Sequence, residues 1–228
     1  EAMREAEKAV ADAESRPHIK ARAQCLLGDL AGSGPQPEFK KAIEHHTQAI
    51  KTADPLAASP HPAIRLAAKE VLIDAHLGAA HDIAWGNWNQ KQTAVPVWLK
   101  RASAFAEELI QNDGGTPEHR FRVATRALAA CVGAQGKVDP AEWAAQVQKI
   151  GAELLAAAPE AAKPQIEWEM GLALYDAVQI YQMGGQRDLA IRHGKQAVEY
   201  LENGSRGRPE DSSDRYLLGR MYFRLGSI

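Results

Sequence analysis

Cysteine is almost absent from this sequence. Cys25 and Cys131 are its two thiols, far apart and each inside a helical pattern, which excludes a disulfide framework and reads as two small buried hydrophobes. An excess of one charge is missing too. With 27 basic against 29 acidic residues the net charge is −2, so no global field draws the chain to nucleic acid or to an anionic membrane, and such binding would need a local patch. No run approaches about 18 unbroken apolar residues, which argues against membrane insertion. The opening Glu1-Ala2-Met3-Arg4 has neither an initiator methionine nor the apolar core of a signal peptide, so the expectation is a soluble piece excised from a longer protein.

Motifs of catalysis are equally sparse. No Gly-x-Ser-x-Gly elbow occurs, and neither cysteine lies in a setting that activates a thiol. Gly194-Lys195 has Leu189 where a phosphate loop needs its first glycine. A helix brings metal ligands together at i,i+3 or i,i+4, and among eight histidines only His18, with Glu14, meets that spacing, across Pro17. His45 and His46 point about 100° apart on a helix, and His76 and His81 diverge similarly. The expectation is therefore no metal, no cofactor and no enzymatic activity.

What the sequence does have is helical periodicity. Strand-like alternation is not sustained anywhere, and Pro, Gly, Asp and Ser clusters divide the chain into segments at 1–15, 17–31, 37–53, 61–84, 94–112, 117–134, 140–158, 162–183, 186–203 and 212–225. Ser59, Thr116 and Asp139 stand before prolines at helix starts, where a missing N–H costs nothing. Asn203-Gly204-Ser205 fits a glycosylation sequon but reads as a helix stop. The loops between most segments are short, which makes neighbours antiparallel.

The helix pairs recur. Tyr181, Gly185, Ala190, Gly194 and Ala197 place an aromatic on one helix, a glycine at the turn and small residues where the next helix approaches. Leu27-Gly28 followed by Ala42-Ile43, Ala49 and Pro55 repeats the pattern, as do Leu218-Gly219, Tyr222 and Gly226, with weaker copies opening at Leu77-Gly78 and Leu128-Ala129. Gly28, Gly78, Ala129, Val178 and Gly219 are spaced by 50, 51, 49 and 41 residues. The pattern resembles the tetratricopeptide (TPR) repeat, although the unit exceeds that family's roughly 34 residues and lacks its usual tryptophan. The resemblance implies an all-α, right-handed α-α superhelix of about ten antiparallel helices, one domain over 1–228 with units at 17–55, 61–112, 117–158, 162–203 and 212–228. Without the family, the physics is the same: one amphipathic pair cannot bury its own apolar face, so pairs stack.

In TPR proteins the first helix of each pair lines a peptide-binding groove. The matching positions are Tyr175, Asp176, Gln179, Gln182 and Met183 on one helix, Tyr216, Arg220, Phe223 and Arg224 on another, and Arg126 on 117–134. That set of aromatics, amides and arginines suits an extended peptide. Members that grip acidic C-terminal tails use a basic and asparagine clamp on the first repeat, where this chain has Cys25 and Asp29, so the ligand class stays open.

Two further segments stand out. His81 through Gln90 holds Trp85 and Trp88 beside a loop, and both rings are expected to plug a gap in an alanine-filled core. On 212–225, Tyr216, Leu217, Leu218, Met221, Tyr222, Phe223 and Leu225 leave only a narrow polar stripe, which calls for a further helix or for a second copy as a homodimer partner. The functional expectation is a protein- or peptide-binding scaffold. Its rivals are an all-α enzyme or small-ligand protein with a pocket near His81, Asp82, Trp85 and Trp88, and a structural spacer or self-association domain.

Overall fold

The computed structural model describes residues 2–12, 16–207 and 212–228. Glu14, and with it the Glu14–His18 pair, lies outside the described residues, as does the end of the first expected segment. Among the described residues there are ten α-helices and no strand: α1 (Ala2–Asp12), α2 (Pro17–Ser33), α3 (Phe39–Ala53), α4 (Pro62–Trp85), α5 (Lys91–Asn112), α6 (Pro117–Gly133), α7 (Ala141–Ala157), α8 (Lys163–Met183), α9 (Arg187–Arg206) and α10 (Ser212–Gly226). None is long and apolar enough to cross a membrane. The chain forms two compact units, Glu1–Val123 and Ala124–Ile228.

In the first unit α1 packs on α2, α2 on α3, α3 on α4 and α4 on α5, and α2 also touches α4. The interfaces are narrow because alanine fills them: Ala21, Ala49, Ala53, Ala68 and Ala75 cluster with Cys25, Val71 and Leu72, and Phe105 closes the edge. α4 is buried over most of its length and carries four buried polar residues, Lys69, Asp74, His76 and Asp82. Each has a partner on the protein, as buried polar groups require. Lys69 Nζ lies 2.5 Å from Glu108 Oε1 and 2.6 Å from Asp113 Oδ2, and Arg65 Nε donates to Asp113 Oδ1 at 2.7 Å. Arg22 Nη1 donates to Asp74 Oδ2 at 2.6 Å. His76 Nδ1 meets the Leu72 carbonyl at 2.7 Å, its ring tilted against Trp98 and Phe105.

In the second unit α7 packs on α8, α8 on α9 and α9 on α10, around fully buried Leu128, Met170, Leu174, Leu201 and Met221. The residues that carry the repeat resemblance sit as packing requires in α8 and α9. Tyr181, Ala190 and Ala197 are buried, and Tyr181 stacks on His193 with ring centroids 5.2 Å apart. Gly185 takes φ +71°, the left-handed turn conformation that disfavours a side chain. Gly219, whose counterpart on α8 is the fully buried Val178, faces open space.

Three local expectations are corrected. α9 does not stop at Asn203-Gly204 but runs to Arg206, because Gly204 is a contact glycine: a Cβ there would lie 2.8 Å from the Trp168 nitrogen on α8. α5 starts at Lys91 rather than 94, with Pro96 inside it; Ala94 N already bonds Gln90 O at 2.9 Å, so the proline costs one ladder bond without setting the boundary. Trp85 and Trp88 are not core filler. They are 49% and 37% exposed, and Trp88 folds its ring over Gly86.

Candidate functional site

α8 and α10 each present one helical face to the same space. On α8, Tyr175, Gln179 and Gln182 follow i, i+4, i+7 spacing; on α10, Tyr216, Arg220, Phe223 and Arg224 follow i, i+4, i+7, i+8, with Ser227 just past its end. α10 is fixed by Met221, fully buried beside Gly194 of α9, and by a hydrogen bond from the Tyr222 hydroxyl to the Glu202 carboxylate. The result is a pocket of about 240 Å³ lined by Tyr175, Gln182, Arg220, Phe223, Arg224 and Ser227.

Its guanidinium groups are held in place by rings and amides. Arg220 lies 5.8 Å from the Tyr175 ring centroid and 5.7 Å from that of Tyr216, within cation–π range of both. Arg224 lies 5.1 Å from Tyr175, and its Nη1 and Nη2 donate to Gln182 Oε1 (2.8 Å) and Gln179 Oε1 (3.2 Å). Phe223 in the pocket wall is 81% exposed and Tyr216, beside Arg220, 66%, whereas Met183, at the end of α8 beside Gly136, is not part of the lining.

Asp176 and Arg126 sit apart from this set. With Thr125, Glu169 and apolar residues they line a second pocket of about 230 Å³ on the adjacent flank of α8. Gln179 bridges the two, donating from Nε2 to Asp176 Oδ1 at 3.1 Å while its Oε1 accepts from Arg224. Burial pushes the Asp176 carboxyl up to about 7, against the pull of Gln179 and Arg224. Because the folded-state value is raised, Asp176 stabilises the fold most below 3.8, and that contribution is lost as pH rises towards about 7. Asp176→Asn, which stays neutral, is therefore expected to match the parent near pH 4 and to exceed it at pH 8 by roughly 2 kcal/mol, after discounting for partial exposure. Urea unfolding at both pH values checks this.

Of the rival pocket's residues, His81 meets both Asp82 and Trp85, while Trp88 stands apart. Asp82 is buried and faces inward, His81 Nδ1 lies 3.2 Å from Asp82 Oδ1, and His81 and Trp85 are tilted neighbours with centroids 6.0 Å apart. Trp88 lines a separate open cleft of about 800 Å³ with Phe39, Lys40, Lys41 and Glu44.

What sequence reasoning missed is the partner of Asp82. His46 Nε2 lies 3.3 Å from Asp82 Oδ2, an ion-pair distance without hydrogen-bond alignment, and its Nδ1 lies 4.0 Å from Cys25 Sγ. Burial alone would raise the Asp82 carboxyl, but His46 and His81 bring it below the usual range. Cys, His and Asp in this order could activate a thiol. Here all three are buried and the imidazole fills the space between Gly28 and Gly78, so Sγ has no approach for a substrate. The signal lay in the two glycines, which the repeat pattern singled out without saying what they make room for. Burial also pushes the Cys131 thiol up to about 12, with Asp139 and Asp176 adding to the effect. Among the described residues no three His, Cys, Asp or Glu side chains are grouped to hold a metal ion.

Comparison with known proteins gives no match to a family model, a curated protein or a solved structure.

Proposed function

We propose that the chain is a protein-binding scaffold module, its helix pairs stacked as a TPR-like right-handed superhelix, that holds an extended peptide segment against α8 and α10. One observation carries the reading: Tyr175, Gln182, Arg220, Phe223 and Arg224, drawn from two helices, line a single open pocket beside exposed aromatic surface. Rigid aromatics supply area at small entropic loss, arginines meet anionic groups and amides reach a peptide backbone. No titratable pair in that pocket is arranged for acid–base chemistry, which favours binding over catalysis.

Selection from a displayed peptide library tests the proposal. Enriched peptides should bind the parent chain and lose at least about tenfold in affinity, or 1.4 kcal/mol, against a Tyr175→Ala/Gln179→Ala/Arg220→Ala variant. Equal binding to that variant would reject the groove. Concentration-dependent dimerisation abolished by Phe223→Glu, with no peptide enriched, would instead support self-association through 212–225.

A further inference from the structure

The Asp176 carboxyl acts on Arg224 of the α8–α10 pocket across Gln179 without pairing with it. Among the described residues neither Arg220 nor Arg224 forms an ion pair, and Arg220 makes no hydrogen bond either, although Tyr175 and Tyr216 hold its guanidinium. Arg224 donates only to neutral amide oxygens, and its Nε is shielded from solvent without any acceptor. An arginine carries five N–H donors, so the pair offers more unused donors than used ones. Arg220 is exposed and Arg224 half-buried, so an anion bridging them would gain two charge-assisted partners, of which Arg224 is already partly stripped of water.

The charge count selects among anions. A carboxylate neutralises one guanidinium. A phosphate monoester carries about −1.5 to −2 at pH 7 and three acceptor oxygens, which matches two forks of donors. The 240 Å³ pocket suits a single side-chain headgroup rather than a helix, and Phe223 offers an apolar wall beside it.

We propose that this pocket seats a phosphate monoester carried on a peptide side chain, the phosphate between Arg220 and Arg224 and the residues flanking it along Phe223 and Tyr216. The assignment rests on the peptide-groove reading and sharpens it: the partner is a phosphorylated segment, and its binding is switched by the phosphate.

A peptide array carrying each sequence in four forms, with serine, glutamate, phosphoserine or phosphotyrosine at the centre, tests both levels with the full chain. The expected result is that phosphorylated forms bind at least tenfold tighter than their serine and glutamate counterparts and that inorganic phosphate competes. Whichever phosphorylated form leads identifies the carrier. Arg220→Gln and Arg224→Gln should each reduce the preference at least fivefold with unchanged circular dichroism. Arg220→Lys, which keeps the charge but loses the fork, should retain part of it. Equal binding of all four forms would overturn the phosphate assignment while leaving the groove standing. Absence of binding to every sequence and form would overturn both.

Discussion

Alanine at Asp113 is expected to cost the fold about 2–3 kcal/mol, the upper range for losing hydrogen bonds to charged groups. The Asp113 carboxylate, just past the end of α5, is 1% exposed and accepts from two cations on α4, Lys69 at 2.6 Å and Arg65 at 2.7 Å. Lys69 is itself buried, so losing Asp113 leaves an ammonium whose remaining contact is Glu108, a half-exposed side chain. Arg65 is more exposed and can turn to water, which places most of the cost on Lys69. Its hydrogen bonds to Lys69 and Arg65 hold Asp113 below the ordinary carboxylate range. A depressed value contributes stability that is present above 3.8 and lost as pH falls through the folded-state value, so parent and variant should converge in strong acid. Urea midpoints across pH 2–7 check this, and a further Lys69→Met substitution should recover part of the loss by removing the stranded charge. A neutral Asp113→Ala would mean that water already serves Lys69.

Gly78→Ala should be comparably damaging, about 3 kcal/mol or more, although it adds one methyl group. That methyl would lie 2.3 Å from His46 Cε1 and 2.4 Å from Nε2. A flexible side chain could yield, but this ring is enclosed: it packs on its other side against Gly28, where an added Cβ would likewise stand 2.5 Å from Cε1, and Asp82 Oδ2 lies 3.3 Å from its Nε2. Gly78→Leu should prevent the first unit from folding. Adding His46→Ala to Gly78→Ala should restore stability relative to Gly78→Ala alone, a coupling that a double-mutant cycle in thermal unfolding reads directly. If Gly78→Ala is silent, the ring is not clamped.

The same residues show what was legible beforehand. Helix limits at Pro17, Pro62, Pro117 and Gly184-Gly185 follow from backbone chemistry that is local in sequence, and they stand within a residue or two of the expected places. Pro96 and Gly204 misled because proline and glycine have more than one use: Pro96 is carried inside α5, and Gly204 serves the approach of α8 to α9. Tyr175, Gln182, Arg220, Phe223 and Arg224 came as a set from the tetratricopeptide resemblance, which carries its groove positions onto them, and in the structure they line one pocket. Arg126 and Asp176 were grouped with them, yet a shift of one residue along α8 turns Asp176 by about 100° onto the next flank. His46 and Asp82 left no spacing to detect, since they come from different helices and meet only through packing. For the tryptophans, composition favoured burial, whereas the loop after α4 leaves both rings half open.

Two surfaces are open to the peptide of the proposed function: the arginine pocket of α8 and α10, and the cleft beside Trp88. Nitrogen-15 NMR of the chain titrated with a selected peptide distinguishes them, because arginine Nε–H and tryptophan indole N–H signals report each directly. The α8–α10 account predicts saturable shifts of Arg220 and Arg224 with the Trp88 indole unmoved. Shifts at Trp88 with both arginines silent would contradict it.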